Sequence, residues 1–174
     1  MENRIRKIAL VSILTATAVA SRIILAPLPN IKPVGFLCIF AGIIGGPIVG
    51  FLVGSLTMVV TDIMFFGAGL WTFITSFSMG IVGLLGYLFA RYKGKGGFSR
   101  FNLFVFTYFS ILFYDIFTSI ASSFMFGNTS VIASLVMLFL PTPIPFGPAH
   151  EITNALFASL VIPEVYSRVK RDLI

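Results

Sequence analysis

Ten of the twelve Lys and Arg residues of this chain lie in three short islands, and the stretches between the islands are apolar. The islands are Arg4-Ile5-Arg6-Lys7, the segment Arg91 to Arg100 (RYKGKGGFSR) and Arg168-Val169-Lys170-Arg171. Positive charge beside membrane spans is retained on the cytoplasmic side. With all three islands on that side, the chain must cross the bilayer an even number of times between each pair. Both termini are then cytoplasmic, and only certain loops meet the exterior.

The chain is 57% hydrophobic and 10% charged, more apolar surface than a soluble domain of this size can bury, so lipid is its solvent. The fold class is all-α integral membrane protein, with residues 1–174 as one domain. The net charge of +6 resides beside spans and forms no binding face, which argues against nucleic acid as a partner. Cys38 is the sole cysteine and lies in an apolar run, so no disulfide or thiolate metal site follows. The first apolar segment runs straight into further spans and reads as a retained helix, not a cleaved signal.

A span needs about 20 residues. Six transmembrane helices satisfy length and parity, at approximately 8–26, 34–46, 48–66, 70–90, 103–126 and 149–167. The stretch 33–66 is the ambiguous one. One crossing there would place the second island outside; two crossings, divided at Gly45-Gly46-Pro47, place it inside, and that sequence suits a turn followed by a new helix. Residues 130–140 are apolar but too short to cross, and Pro141, Pro143, Pro145 and Pro148 follow them. This segment reads as a short helix and an external loop folded back on the bundle. The other external loops are 26–33 and 66–70.

Small residues recur at four-residue spacing. Gly42, Gly46, Gly50 and Gly54 form one series, Gly80, Gly83 and Gly86 stud the fourth helix, and Ser12, Ala16 and Ala20 line the first. Such stripes let helices approach backbone to backbone. For the glycines this reads chiefly as internal packing. For the first helix, a smooth stripe on a peripheral element also suits docking of another membrane protein.

Ionisable residues within spans are costly and mark candidate sites. Asp62 lies near the outer end of the third helix and Asp115 just past the middle of the fifth. His150, Glu151 and Asn154 open the sixth, with His150 and Asn154 on one face. Arg22, near the outer end of the first helix, suits either a headgroup contact or a tie to an acid. Apart from Asp115, these residues cluster towards the outer face. That clustering points to an outward-opening pocket for a small solute, formed by Asp62, Trp71, Asp115, His150, Glu151 and Asn154. Phe65, Phe66, Phe73, Tyr114 and Phe146 are candidates for its aromatic wall. Each residue also has a structural reading, such as ion pairing or helix capping.

The nucleotide-binding and hydrolase motifs are missing. Gly94-Lys95-Gly96-Gly97 lacks Walker A spacing, and neither HExxH nor GxSxG occurs. One His without a second Cys makes a metal site unsupported. A rival reading is a small intramembrane enzyme or assembly factor using Asp62, Asp115, His150 and Glu151 in acid–base work.

The whole-chain pattern resembles the substrate-binding S components of energy-coupling factor (ECF) transporters. The resemblance is strongest from Pro29 to Gly86. It rests on Pro29-Asn30-Ile31-Lys32-Pro33, on Ala41-Gly42-Ile43-Ile44-Gly45-Gly46-Pro47 with Gly50 and Gly54, and on Asp62. It continues through Gly67-Ala68-Gly69-Leu70-Trp71-Thr72, Gly80-Ile81-Val82-Gly83-Leu84-Leu85-Gly86 and His150-Glu151-Ile152-Thr153-Asn154. It implies a multi-pass protein of a prokaryotic plasma membrane that is not an enzyme and binds a vitamin or similar micronutrient at the outer face. It further implies docking through Ser12, Ala16 and Ala20 to a transmembrane coupling subunit. Two cytosolic ATPases would use the ATP, with no cofactor on this chain. Leu70 stands where near relatives would carry proline, and the ligand classes that the resemblance suggests are cobalamin-type and deazapurine-type compounds.

Overall fold

The computed structural model describes residues 2–28, 30–93, 98–125, 130–139 and 146–171, with side chains for all of these except 2, 3, 137, 146 and 169–171. The middle of the second island and Pro141, Pro143 and Pro145 therefore lie outside the described residues, as does the side chain of Phe146.

Seven helices occur among the described residues: α1 (Glu2–Ile24), α2 (Val34–Gly45), α3 (Pro47–Thr61), α4 (Leu70–Lys93), α5 (Arg100–Met125), α6 (Val131–Phe139) and α7 (Phe146–Arg171). A single π turn, Asp62–Phe66, extends α3. Among the described residues, four helical stretches are long and apolar enough to cross a membrane: Arg4–Ile24, Pro47–Phe66, Leu70–Lys93 and Arg100–Met125. At 12 residues, α2 is about 18 Å long, well short of a hydrocarbon core of about 30 Å. At 26 residues, α7 is long enough, but His150, Glu151 and Asn154 interrupt its apolar character and Pro163 lies within it. The helices run a turn or more past their apolar segments. Arg4, Arg6 and Lys7 are on α1 itself, and Arg91 and Lys93 form the last turn of α4. Long basic side chains on a continuing helix can reach the headgroups without ending it.

The break between α2 and α3 falls at Gly46, whose φ of +89° is a left-handed value that favours glycine. Its N–H still bonds the Gly42 carbonyl at 3.1 Å, and Pro47 opens α3 where no N–H is needed. The core of the bundle is α2, α3 and α4, with α3 against α4 the most extensive contact; α5 and α7 form the other major pair. Glycines set these distances. A methyl group on Gly83 would strike the Gly50 carbonyl, and one on Gly42 would strike the Gly83 carbonyl. Around this seam Ile39, Met79 and Val82 are fully buried. Many hydroxyls in the bundle bond to their own helices, as Thr57 does to the Val53 carbonyl (2.7 Å) and Thr118 to the Tyr114 carbonyl (2.9 Å), whereas the buried hydroxyls of Thr15 and Thr107 have no partner among the described residues. The short α6 packs on α5 and α7, and the Ser123 and Ser134 hydroxyls meet at 2.5 Å between α5 and α6.

Candidate functional site

A cavity of about 220 Å³ opens among α1–α5 and α7, at the end of the bundle opposite the basic islands. Trp71, Thr75 and Met79, spaced by four along α4, form one wall. Tyr114, Asp115 and Thr118 of α5 form another, and Val34 and Met58 contribute apolar surface from α2 and α3. Four groups that can carry charge reach it: Arg22, Lys32, Asp115 and His150.

Asp115 fixes His150. The Nδ1 of His150 lies 2.9 and 3.0 Å from the two carboxylate oxygens, and both side chains are buried. A carboxylate only accepts, so Nδ1 carries the proton that it donates, and Nε2 remains for a ligand. The ring of Tyr114 meets the imidazole edge-on with centroids 6.1 Å apart. An imidazole held from behind and from the side is a preorganised hydrogen-bonding group in a half-aromatic cavity.

Arg22 ties α1 to α3. It donates to the Thr61 hydroxyl and to Asp62 Oδ1, the latter at 3.0 Å, while its guanidinium lies 4.7 Å from the Phe66 ring centroid. Asp62 begins the π turn, a distortion frequent at functional sites. Its second oxygen is buried with no hydrogen-bond partner among the described residues. Lys32 sits in the loop before α2, half-buried, with Nζ 5.9 Å from the same Phe66 ring. Burial, and next the neighbouring Arg22, hold its pKa below the ordinary lysine value.

Of the six pocket residues expected from sequence, Trp71, Asp115 and His150 line the cavity. Asp62 is connected to it through Arg22. Asn154 stands behind the wall, fully buried. Its Oδ1 accepts from the Phe36 N–H at 2.9 Å, and its Nδ2 donates to the Lys32 and His150 carbonyls at 3.0 and 2.8 Å. Pro33 precedes α2 without a capping side chain, and Asn154 supplies that cap from α7. Glu151 is also fully buried and does not line the cavity; the Tyr108 hydroxyl interacts with it, yet neither carboxyl oxygen meets hydrogen-bond geometry with any of the described residues. Of the aromatic candidates, Tyr114 lines the cavity, Phe66 backs Arg22 and Lys32, and Phe65 and Phe73 are exposed. Sequence reasoning left out Lys32, Asn30, Thr75, Met79 and Thr118 as pocket residues. The spacing of Trp71, Thr75 and Met79 was the available signal for two of them. No cluster of three metal-binding side chains occurs among the described residues.

A second feature lies on the outside of α1. Ser12, Ala16 and Ala20 are exposed, whereas Leu14, Thr15 and Ala18 face the core. The exposed stripe floors a shallow apolar groove of about 530 Å³, edged by Leu56, Val60, Met64 and Phe65 of α3 and its π turn.

The sequence model of the family described as "ECF-type riboflavin transporter, S component" matches residues 2–161. The chain belongs to this family. Neither a curated protein nor a solved structure matches it. As an ECF S component it is a multi-pass membrane protein, the substrate-binding subunit of a transporter and not an enzyme. S components bind small vitamin-like ligands and work with a membrane T component and ATPases. Asp62, Asp115, His150 and Glu151 are therefore to be understood through binding and structure, not through acid–base catalysis.

Proposed function

We propose that this S component captures riboflavin in the cavity bounded by Trp71, Tyr114 and the Asp115–His150 pair, and delivers it inward with a coupling subunit and two ATPases that consume the ATP. Riboflavin takes the place of the cobalamin-type and deazapurine-type ligands expected from sequence. The observation that carries the reading is a fixed imidazole facing aromatic walls. A flavin ring is flat and fused, apolar along its benzenoid edge, and carries two carbonyls flanking one N–H at the other. Stacking against Trp71 or Tyr114 suits its faces, and His150 Nε2 suits its N–H as an acceptor. At about 220 Å³ the cavity falls below the usual 300–1,000 Å³ of drug-sized ligand sites. That size favours one flat ring system over a corrinoid several times larger.

For delivery, we take α1–α5 and α7 as six crossings with both termini and the segment Arg91 to Arg100 in the cytoplasm, which places the cavity at the outer face. The short α2 then crosses within the shelter of α3, α4 and α7. Titration of the detergent-purified chain with riboflavin tests the ligand. Saturable quenching of flavin fluorescence at one flavin per chain is expected. Absence of quenching, together with a different small molecule in the native mass spectrum, would overturn riboflavin as the substrate.

A further inference from the structure

We infer that the groove between α4 and α5, at the end of the bundle opposite the substrate cavity, binds one anionic phospholipid, with its headgroup phosphate on Lys93 and an acyl chain along the groove. The groove has a volume of about 480 Å³. Leu88, Phe89 and Tyr92 of α4 form one wall, and Phe101, Val105 and Phe106 of α5 form the other. Phe89 stacks on Phe106 with ring centroids 4.3 Å apart, which fixes the two helices against each other at this point. Leu88, Tyr92 and Phe101 are exposed. The groove shares no residue with the one on α1, so the two are separate surfaces.

Three observations favour a lipid with a negative headgroup over a second apolar helix. First, the lining is ordered along the helices. Lys93 ends α4 and Asn102 lies in the first turn of α5, so the polar groups sit at the mouth and the apolar ones further in. From Lys93 to Leu88 the groove follows α4 for about 8 Å, enough for the upper part of one acyl chain. Second, positive charge at this rim is uncompensated. Among the described residues no carboxylate pairs with Lys93, whose Nζ lies 5.9 Å from the Tyr92 ring centroid, or with Arg91, which donates to the Tyr87 hydroxyl at 2.9 Å. Arg100 nearby is offset by Glu164 at 2.9 Å. Third, the Asn102 amide and the Tyr92 hydroxyl stand on the same lining as further donors for phosphate or glycerol oxygens. A partner helix laid here would strip water from the Lys93 ammonium and give it no counter-charge. A phosphate gives it charge-assisted bonds at the depth where headgroups lie, and basic residues at this level draw anionic lipid. A zwitterionic headgroup brings its own cation next to Lys93 and Arg91, which returns part of that gain.

Phosphatidylglycerol and phosphatidylcholine with the same acyl chains differ only in the headgroup, so the ratio of their binding isolates its charge. Both are to be titrated into the detergent-purified chain and counted by native mass spectrometry, for wild type, Lys93→Gln, Lys93→Arg, Val105→Trp and Arg6→Gln. Wild type is expected to retain one phosphatidylglycerol with a preference of about tenfold, Lys93→Gln to bring the two lipids close to parity, and Lys93→Arg to keep the preference. Val105→Trp fills the groove and should release both lipids. Arg6 is an exposed basic residue of α1 and does not line the groove, so Arg6→Gln should change nothing. Equal binding of the two lipids by wild type, or a preference that survives Lys93→Gln, would overturn the site. An equal loss in Arg6→Gln would mean diffuse attraction to a basic surface, and the inference falls. It falls also if Val105→Trp keeps its phosphatidylglycerol but loses a native dimer or the coupling subunit, because the groove then belongs to a protein partner.

Discussion

Asn154 closes three hydrogen bonds with one amide, and each partner belongs to something the site needs. The Phe36 N–H starts α2, the Lys32 carbonyl anchors the loop at the cavity rim, and the His150 carbonyl belongs to the turn bearing the imidazole. Replacing Asn154 by Ala orphans the first two in the protein interior, at about 1–3 kcal/mol for each buried group left unbonded. Asn154→Ala is therefore expected to lower the thermal midpoint in detergent and to weaken riboflavin binding. An unchanged midpoint would mean that water replaces the amide. At this scale the sequence marked which residues are expensive but not what they bond. Asp62, Asp115 and His150 stand out in an apolar chain by type alone. Their partners, Arg22 across 40 positions and Asp115 across 35 from His150, are fixed only by helix packing. Asn154 shares a helix face with His150, so spacing suggested a second ligand contact; that it also caps α2 from α7 could not be read from spacing.

Helix spacing in this bundle is set by glycine on facing elements. The Gly50 and Gly83 backbones press together where α3 crosses α4, and Gly42 meets Gly83 from α2, so one residue of α4 holds two seams. With lipid as solvent, the gain from such contacts is dispersion and close backbone approach, not release of water. A Cβ at position 83 meets backbone atoms that cannot rotate away. Gly83→Ala is expected to destabilise by about 1–3 kcal/mol, the range typical of overpacking. Gly69, with open space around it, provides the control: Gly69→Ala should stay within about 0.5 kcal/mol. Thermal unfolding of both variants in the same detergent decides the comparison, and equal midpoints would refute the glycine seam. The four-residue glycine series and the Gly46-Pro47 break were legible because they are local chemistry. The extents of the helices were less so. Apolar content ends before the backbone does, and α1 begins at Glu2, ahead of the first apolar residue of its span. The short π turn after Thr61 carries no residue pattern that announces it.

Viewed as a whole, the molecule is polarised. The described residues of its basic islands lie at one end and its cavity, with Arg22 and Lys32, at the other, and between them α1 exposes a smooth strip to the surroundings. Ser12, Ala16 and Ala20 point away from the core, while Leu14, Thr15 and Ala18 on the same helix supply its inward face. The stripe therefore does not serve packing within this chain, a distinction that spacing alone could not make. We propose it as the docking face for a helix of the coupling subunit, since small side chains allow close backbone approach across the groove. The groove and the cavity also share an element: Arg22 at the end of α1 reaches the cavity, and the π turn that pairs with it through Asp62 continues into Met64 and Phe65 at the groove edge. An indole at position 16 or 20 would fill this groove from the lipid side without entering the core. Ala16→Trp and Ala20→Trp are accordingly expected to bind riboflavin within about twofold of wild type, yet to lose the coupling subunit in pull-downs and to abolish cellular uptake. A folded variant that assembles and transports normally with either indole would remove the docking role from α1 and transfer the search to the remaining lipid-facing helices.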